Sequence, residues 1–251
     1  MTAHPLLEAR EVTVRFGGLT AVDAVSAAFA PGELVGIIGP NGAGKTTFFN
    51  ALSGVVAPTS GELHAGGVRL TGARPERFAR QGVARTFQTP RVFADLSVAH
   101  NVGFGLQFAG RRRQSSWLLK DEASILQLIG LAAQSALPAA AITPSQQRLL
   151  EIGMALATRP RLLLLDEVAA GLTEAEVEAM AQLIRRLRDE LDLTVIWIEH
   201  AVTTLLRHVE RVLVLHQGRK IADGLPSQVV RNPEVIEAYL GDEMADMAEA
   251  A

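Results

Sequence analysis

The chain has 251 residues, 48% of them hydrophobic, a formal net charge of −3 and no cysteine. That apolar content suffices for one large core or two small ones, and the slightly acidic balance offers no general basic surface for nucleic acid. Disulfide frameworks and thiolate metal sites are excluded, which suits a reducing compartment.

The opening stretch MTAHPLLEAREVTV lacks a basic segment followed by an apolar run, so no secretion signal is expected and the cytoplasm is the expected location. From there to about residue 80, LEAREVTVRF, LTAVDAVSAAF and GELHAGGVRLTG alternate in polarity and are punctuated by glycine pairs. They predict an antiparallel β layer. Four nearly unbroken apolar runs, ELVGIIG (33–39), RLLLLD (161–166), LTVIWIE (193–199) and RVLVLH (211–216), read as strands buried on both faces of a parallel sheet. Between them TEAEVEAMAQLIRRLRDEL (173–191) repeats its apolar positions at three and four, as a helix does. Residues from about 90 to 157 carry loops and helices without a buried strand, and read as an inserted helical lobe. The fold class expected is α/β: a core with a mostly parallel sheet, an N-terminal antiparallel β layer and an inserted α-helical subdomain. In domain terms, 1–88 and 158–251 form the core with its β layer, and about 89–157 the helical subdomain, within a single unit of 251 residues. The basic cluster Arg111–Arg113 reads as a solvated loop, and IGLAAQSALPAAAI is broken by Gln, Ser and Pro well short of the roughly 20 residues of a membrane span.

The strongest chemical signal is GPNGAGKTT: Gly39, Pro40, Asn41, Gly42, Ala43, Gly44, Lys45, Thr46 and Thr47, directly after a predicted strand and opening a helical pattern. It matches the phosphate-binding P-loop in full, with its strand–loop–helix context, so the core expected is that of a P-loop NTPase. Glycines at 39, 42 and 44 let backbone N–H groups close on phosphate oxygens at the positive end of the helix. Lys45 adds a full charge for the β and γ phosphates, and the Thr46 hydroxyl is placed for Mg²⁺. A P-loop also needs a carboxylate for that metal. Asp166 ends the LLLL strand at the sheet edge where ligands bind, and Glu167 follows. Asp166 is expected to bind Mg²⁺ through water, and Glu167 to polarise the attacking water as general base.

A P-loop, ARTFQ (84–88), a polar helix start, LLLLDE and IEH (198–200), in this order and spacing, resemble the nucleotide-binding subunit of an ABC transporter over nearly the whole chain. RFGGLTAV, GVARTFQ, EIGMALA, DEVAAGL and the tail PEVIEAYLG are similar, more narrowly, to ATPase subunits of branched-chain amino-acid importers. The resemblance implies ATP and Mg²⁺ as ligands and ATP hydrolysis as the activity. Phe16 would stack on adenine in place of the usual Tyr, Gln88 would touch Mg²⁺ and the water, and His200 would contact the γ phosphate. It also implies a head-to-tail pair with a second ATPase subunit, permease subunits in the membrane, an indirect link to a substrate-binding protein, and a place on the cytoplasmic face of the inner membrane. The groove beside Gln88 and TPRVFADLSV would receive a short permease helix.

Two departures stand out. The family's Leu-Ser-x-Gly-Gln signature aligns with Ile142, Thr143, Pro144, Ser145 and Gln146, of which Gln146 alone is identical. Thr143 as N-cap, Pro144 at the first helical position and Gln146 three residues on also form a capping box, so local stability and phosphate contact by Thr143, Ser145 and Gln146 are both open readings. After the acids, Val168 and Thr173 replace the usual proline and aspartate of a loop crossing the dimer interface. The functional alternative is a regulatory nucleotide-binding subunit whose altered signature leaves one composite site non-hydrolytic. The acidic tail GDEMADMAEAA is short, and is expected to fray and to form no regulatory domain.

Overall fold

The structure is a computed structural model and describes residues 5–108, 119–199 and 201–239. Arg111–Arg113, His200 and the acidic tail lie outside the described residues. In chain order the elements are β1 (Leu7–Phe16), β2 (Leu19–Phe29), β3 (Leu34–Ile38), α1 (Lys45–Leu52), β4 (Ser60–Ala65), β5 (Val68–Arg69), α2 (Pro75–Arg80) and β6 (Val83–Arg85). The α-helices α3 (Val98–Gln107), α4 (Glu122–Leu128) and α5 (Pro144–Ala157) follow among the described residues. The chain continues with β7 (Leu162–Asp166), α6 (Glu174–Leu191), β8 (Thr194–Ile198), α7 (Val202–His208), β9 (Arg211–His216), β10 (Arg219–Gly224), α8 (Pro226–Val229) and α9 (Pro233–Ala238).

Two sheets result. The first, in the order β2-β1-β4-β5, is antiparallel, as its alternating polarity requires. The second runs β10-β9-β3-β8-β7-β6 and is parallel except for the β9–β10 hairpin. The four apolar runs are its four inner strands, and the reason they are unbroken is visible in the core. Leu34 and Ile38 of β3, Leu163 and Leu165 of β7, Val195 and Trp197 of β8 and Val212 and Val214 of β9 pack with helices α5, α6 and α7. Their alternate neighbours, Val35 and Ile37, Leu162 and Leu164, Ile196 and Ile198, Leu213 and Leu215, pack with α1 and the antiparallel sheet. Strand period two therefore feeds two separate apolar layers.

Helix α1 lies between the sheets, with Phe48 and Phe49 fully buried. On the other face α7 comes so close to β3 that a Cβ on Gly36 would stand 2.3 Å from Leu205 Cδ2, so a side chain there would require Leu205 to move. Helix α6 buries Met180, Ala181, Ile184 and Leu187 along one stripe. It starts one residue after Thr173, at the place the periodicity predicts.

Strands β6 and β10 are the two that the hydrophobic pattern does not reveal. Both are edge strands; β6 has three residues and β10, RKIADG, is half exposed, so neither carries an apolar run. Between β6 and β7 the described residues form helices and turns, with one isolated bridge, Ser97–Pro138, outside the named strands. Among the described residues no helix is long and apolar enough to cross a membrane.

Candidate functional site

The loop from β3 to α1 owes its shape to its glycines. Gly39, Gly42 and Gly44 have φ of 153°, 78° and 96°, a region that residues with a Cβ rarely enter. At two of them space is also lacking. A Cβ on Gly39 would lie 2.1 Å from the Leu215 carbonyl oxygen, and one on Gly44 would lie 2.3 Å from that of Ala21. The ends of β9 and β2 thus press the loop from two sides, and the Gly218 N–H donates to the Ala43 carbonyl at 3.0 Å. Lys45 is buried and folds back over the loop, its Nζ donating to the carbonyls of Gly39 (2.5 Å) and Pro40 (3.1 Å).

A cavity of about 600 Å³ opens over this loop. Asn41 to Thr47 form its floor, Phe16, Leu19, Thr20 and Ala21 one wall, and Glu167, Gln217 and Gly218 complete it. The volume lies in the range of small-molecule sites. Phe16 is 52% exposed, so its ring presents a face to the cavity instead of filling the core.

Asp166 and Glu167 emerge together from β7 but face different partners. The buried Asp166 carboxylate accepts from Arg85 Nη2 at 3.0 Å through Oδ2. Arg85 Nη1 also donates to Asn50 Oδ1 (2.7 Å) and Ser53 Oγ (2.8 Å), so one guanidinium ties β6, β7 and the end of α1 together. Burial pulls the Arg85 pKa down, and the charge of Asp166 opposes it. Arg85→Ala is expected to cost on the order of 3 kcal/mol because it removes the buried guanidinium that faces this buried carboxylate. Chemical denaturation checks this, and an unchanged unfolding midpoint would show that the pair contributes nothing.

Glu167 is buried and left-handed, with φ 51°. Its Oε2 accepts from Gln88 Nε2 at 2.6 Å, its N–H donates to the Ile198 carbonyl at 2.9 Å, and its own carbonyl accepts from Arg148 Nη1 at 2.8 Å. Three elements therefore hold this residue, two by its backbone and one by its carboxylate. The turn that follows is held by Glu199, which accepts from the Ala169 N–H (2.7 Å) and from Trp197 Nε1 (3.0 Å). Glu151 of α5 is a further buried acid. It accepts from the N–H groups of Phe87 (3.2 Å) and Arg91 (3.0 Å), on either side of Gln88. Burial pushes its carboxyl up, while those two N–H groups pull it back.

Arg85, Arg148, Glu151 and Glu199 are the residues that sequence reasoning misses. Their partners lie far away in the chain, as with Arg85 and Asp166, 81 positions apart, and no spacing rule signals them. Glu199 alone leaves a trace, as an acid closing the otherwise apolar run of β8.

The expected capping box is present at the start of α5. Gln146 N–H donates to Thr143 Oγ1 (3.2 Å), Thr143 N–H donates to Gln146 Oε1 (3.0 Å), and Pro144 occupies the first turn. The Ser145 hydroxyl lies 3.0 Å from Thr143 Oγ1. These residues do not reach the P-loop cavity; they rim a separate one floored by Ile129, Met180 and Leu183. Thr173, at the second departure, makes a capping box of its own with Glu176 at the start of α6. Among the described residues no group of three or more His, Cys, Asp or Glu side chains could cage a metal. The oxygen donors around the P-loop suit a hard cation that takes few protein ligands and shares phosphate oxygens, as Mg²⁺ does.

Residues 22–170 match the family described as ABC transporter, and residues 219–245 the one described as branched-chain amino acid ATP-binding cassette transporter. The high-affinity branched-chain amino acid transport ATP-binding proteins BraF of Pseudomonas aeruginosa and LivG of Escherichia coli are each 38% identical to this chain, covering 96% of it and 99% of their own length. A solved nucleotide-free ATP-binding cassette from an ABC transporter superposes with a TM-score of 0.82 at 27% identity, covering 95% of this chain and 100% of that one. With a P-loop, a paired acid and a match to that family over more than half its length, this chain belongs to the ABC transporter family, among its ATP-binding proteins.

Proposed function

We propose that the chain is the ATP-hydrolysing subunit of an importer for branched-chain or related amino acids, docked by permease subunits to the cytoplasmic face of the inner membrane. The observation that supports this reading is the 2.6 Å contact of Gln88 with Glu167, which itself lines the P-loop cavity, so that a carboxylate and an amide stand together as a base and a water-orienting group would. In this reading Phe16 stacks on adenine, and the loop from Gly39 to Thr47 receives the phosphates. Lys45 leaves its two carbonyls for the β and γ oxygens. Thr46, Asp166 and Gln88 hold Mg²⁺, which neutralises phosphate charge when bound. Glu167 accepts a proton from the attacking water, and His200 donates to the γ phosphate.

Thr143, Ser145 and Gln146 sit in a different cavity from Lys45, so they serve the nucleotide of a second ATPase subunit packed head to tail. The helical segment at about 89–157 acts as the lobe that closes on that nucleotide and opens after hydrolysis. The substrate class comes from the two relatives and from the match at residues 219–245.

The test is reconstitution with permease subunits that co-purify with the chain and measurement of ATP-dependent leucine uptake into vesicles. Uptake that runs equally well without ATP, or ATP turnover unaffected by the membrane subunits and the substrate-binding protein, overturns the reading. In the same vesicles Ser145→Gly is expected to raise turnover severalfold. It removes a Cβ from the helix start and releases the Thr143 hydroxyl from one of its two local contacts. Unchanged turnover would mean that Ser145 is no obstacle to the partner's phosphate.

A further inference from the structure

Both members of the Gln88–Glu167 contact are gripped by the same helix. One turn apart on α5, Arg148 donates to the Glu167 carbonyl, and Glu151 accepts from the N–H groups of Phe87 and Arg91, which bracket Gln88. The Arg91 guanidinium in turn lies 3.8 Å from the centre of the Phe87 ring, so the loop closes on itself over the carboxylate. Glu151 sits between the fully buried Leu150 and Ile152, where an ionised acid is costly and an apolar residue would be cheaper. Its chemistry is specific as well. The two N–H donors meet two different oxygens, Oε2 and Oε1. A carboxylate accepts both, whereas a glutamine would turn its NH₂ toward one of them.

We propose that Glu151 is a positioning residue for ATP hydrolysis: it ties the Gln88 loop to α5, so that the placement of this helix decides whether Gln88 meets Glu167. This rests on the hydrolytic role proposed above for Glu167 and Gln88. Because the start of α5 carries Thr143, Ser145 and Gln146, the tie gives a chain that holds the partner's nucleotide a direct route to its own hydrolytic pair. The two nucleotides of a dimer are then coupled within each subunit.

The experiment is a double-mutant cycle in the assembled transporter, combining Glu151→Gln with Gln88→Ala. Glu151→Gln alone is expected to lower kcat about tenfold, the size usual for residues that support a contacting group, with the KM for ATP within about twofold of the parent. In the Gln88→Ala background it is expected to have no further effect. A kcat left intact, a rise in KM alone, or the same loss repeated in the Gln88→Ala background overturns the proposal. Hydrogen exchange provides an arm that needs no activity. The amides of Phe87 and Arg91 are expected to exchange slowly in the unaltered, nucleotide-free protein and to speed up in Glu151→Gln while those of β8 do not. Fast exchange at both amides in the unaltered protein overturns the tie even if the variant does not fold. Absence of ATP turnover in the unaltered transporter, with both amides protected, would instead count against the hydrolytic role and leave the tie standing.

Discussion

Replacing Glu167 by Gln is expected to lower ATP turnover by about three orders of magnitude, within the range of a lost general base, while ATP remains bound. The substitution keeps the size of the side chain and a carbonyl oxygen for Gln88 Nε2, but an amide takes no proton from water. Lys45, Thr46 and the glycine loop are untouched, so affinity should change little. Phosphate release and equilibrium ATP binding, measured side by side, check the claim. Because bound ATP would no longer be consumed, the variant should also accumulate as a closed dimer in size-exclusion chromatography run with ATP. Turnover equal to that of the parent would remove Glu167 from the mechanism.

The second large effect concerns the loop glycines, and here two neighbours are expected to behave differently. Gly44→Ala forces a left-handed alanine, at about 1–2 kcal/mol, and drives its Cβ to 2.3 Å from the Ala21 carbonyl, which is backbone and cannot step aside. Together these are expected to weaken ATP binding about a hundredfold or more. Gly42 shares the positive φ, but nothing lies within 4 Å of its Cβ position. Gly42→Ala should therefore lose about tenfold, the conformational part alone. Titration calorimetry of both variants with ATP decides the matter. Equal losses would mean that the contact with β2 gives way easily and that only the backbone conformation matters.

The four inner strands were legible in the sequence because each is buried on both faces, which leaves an apolar run with no polar interruption. The P-loop and Asp166–Glu167 were legible because their chemistry needs adjacent residues. The same holds for the Thr143–Gln146 box, whose bonds span three residues. Thr173–Glu176 has the same three-residue spacing, with Glu in place of Gln, at the start of the predicted helix 173–191. What stayed hidden was polar and distant. Arg85 looks like one more residue of ARTFQ until Asn50, Ser53 and Asp166 are seen around it, and Glu151 looks like the polar side of a helix until the loop of Gln88 folds over it. Edge strands β6 and β10 were hidden for the opposite reason, since half-exposed backbone places little demand on side chains.

The Arg85–Asp166 pair has a consequence for how β7 finds its place. Leu162 to Leu165 are four identical side chains, so sliding the strand by one residue would swap the faces of the three that stay within the run and alter the layers only at its ends, where Arg161 or Asp166 would enter. Hydrophobic burial, which normally fixes strand register, is degenerate here. The slip would instead carry Asp166 away from Arg85 and strand a carboxylate in the core, a mistake that costs several kcal/mol. A single buried ion pair thus supplies the alignment that four leucines cannot, and it leaves the next residue, Glu167, on the wall of the P-loop cavity.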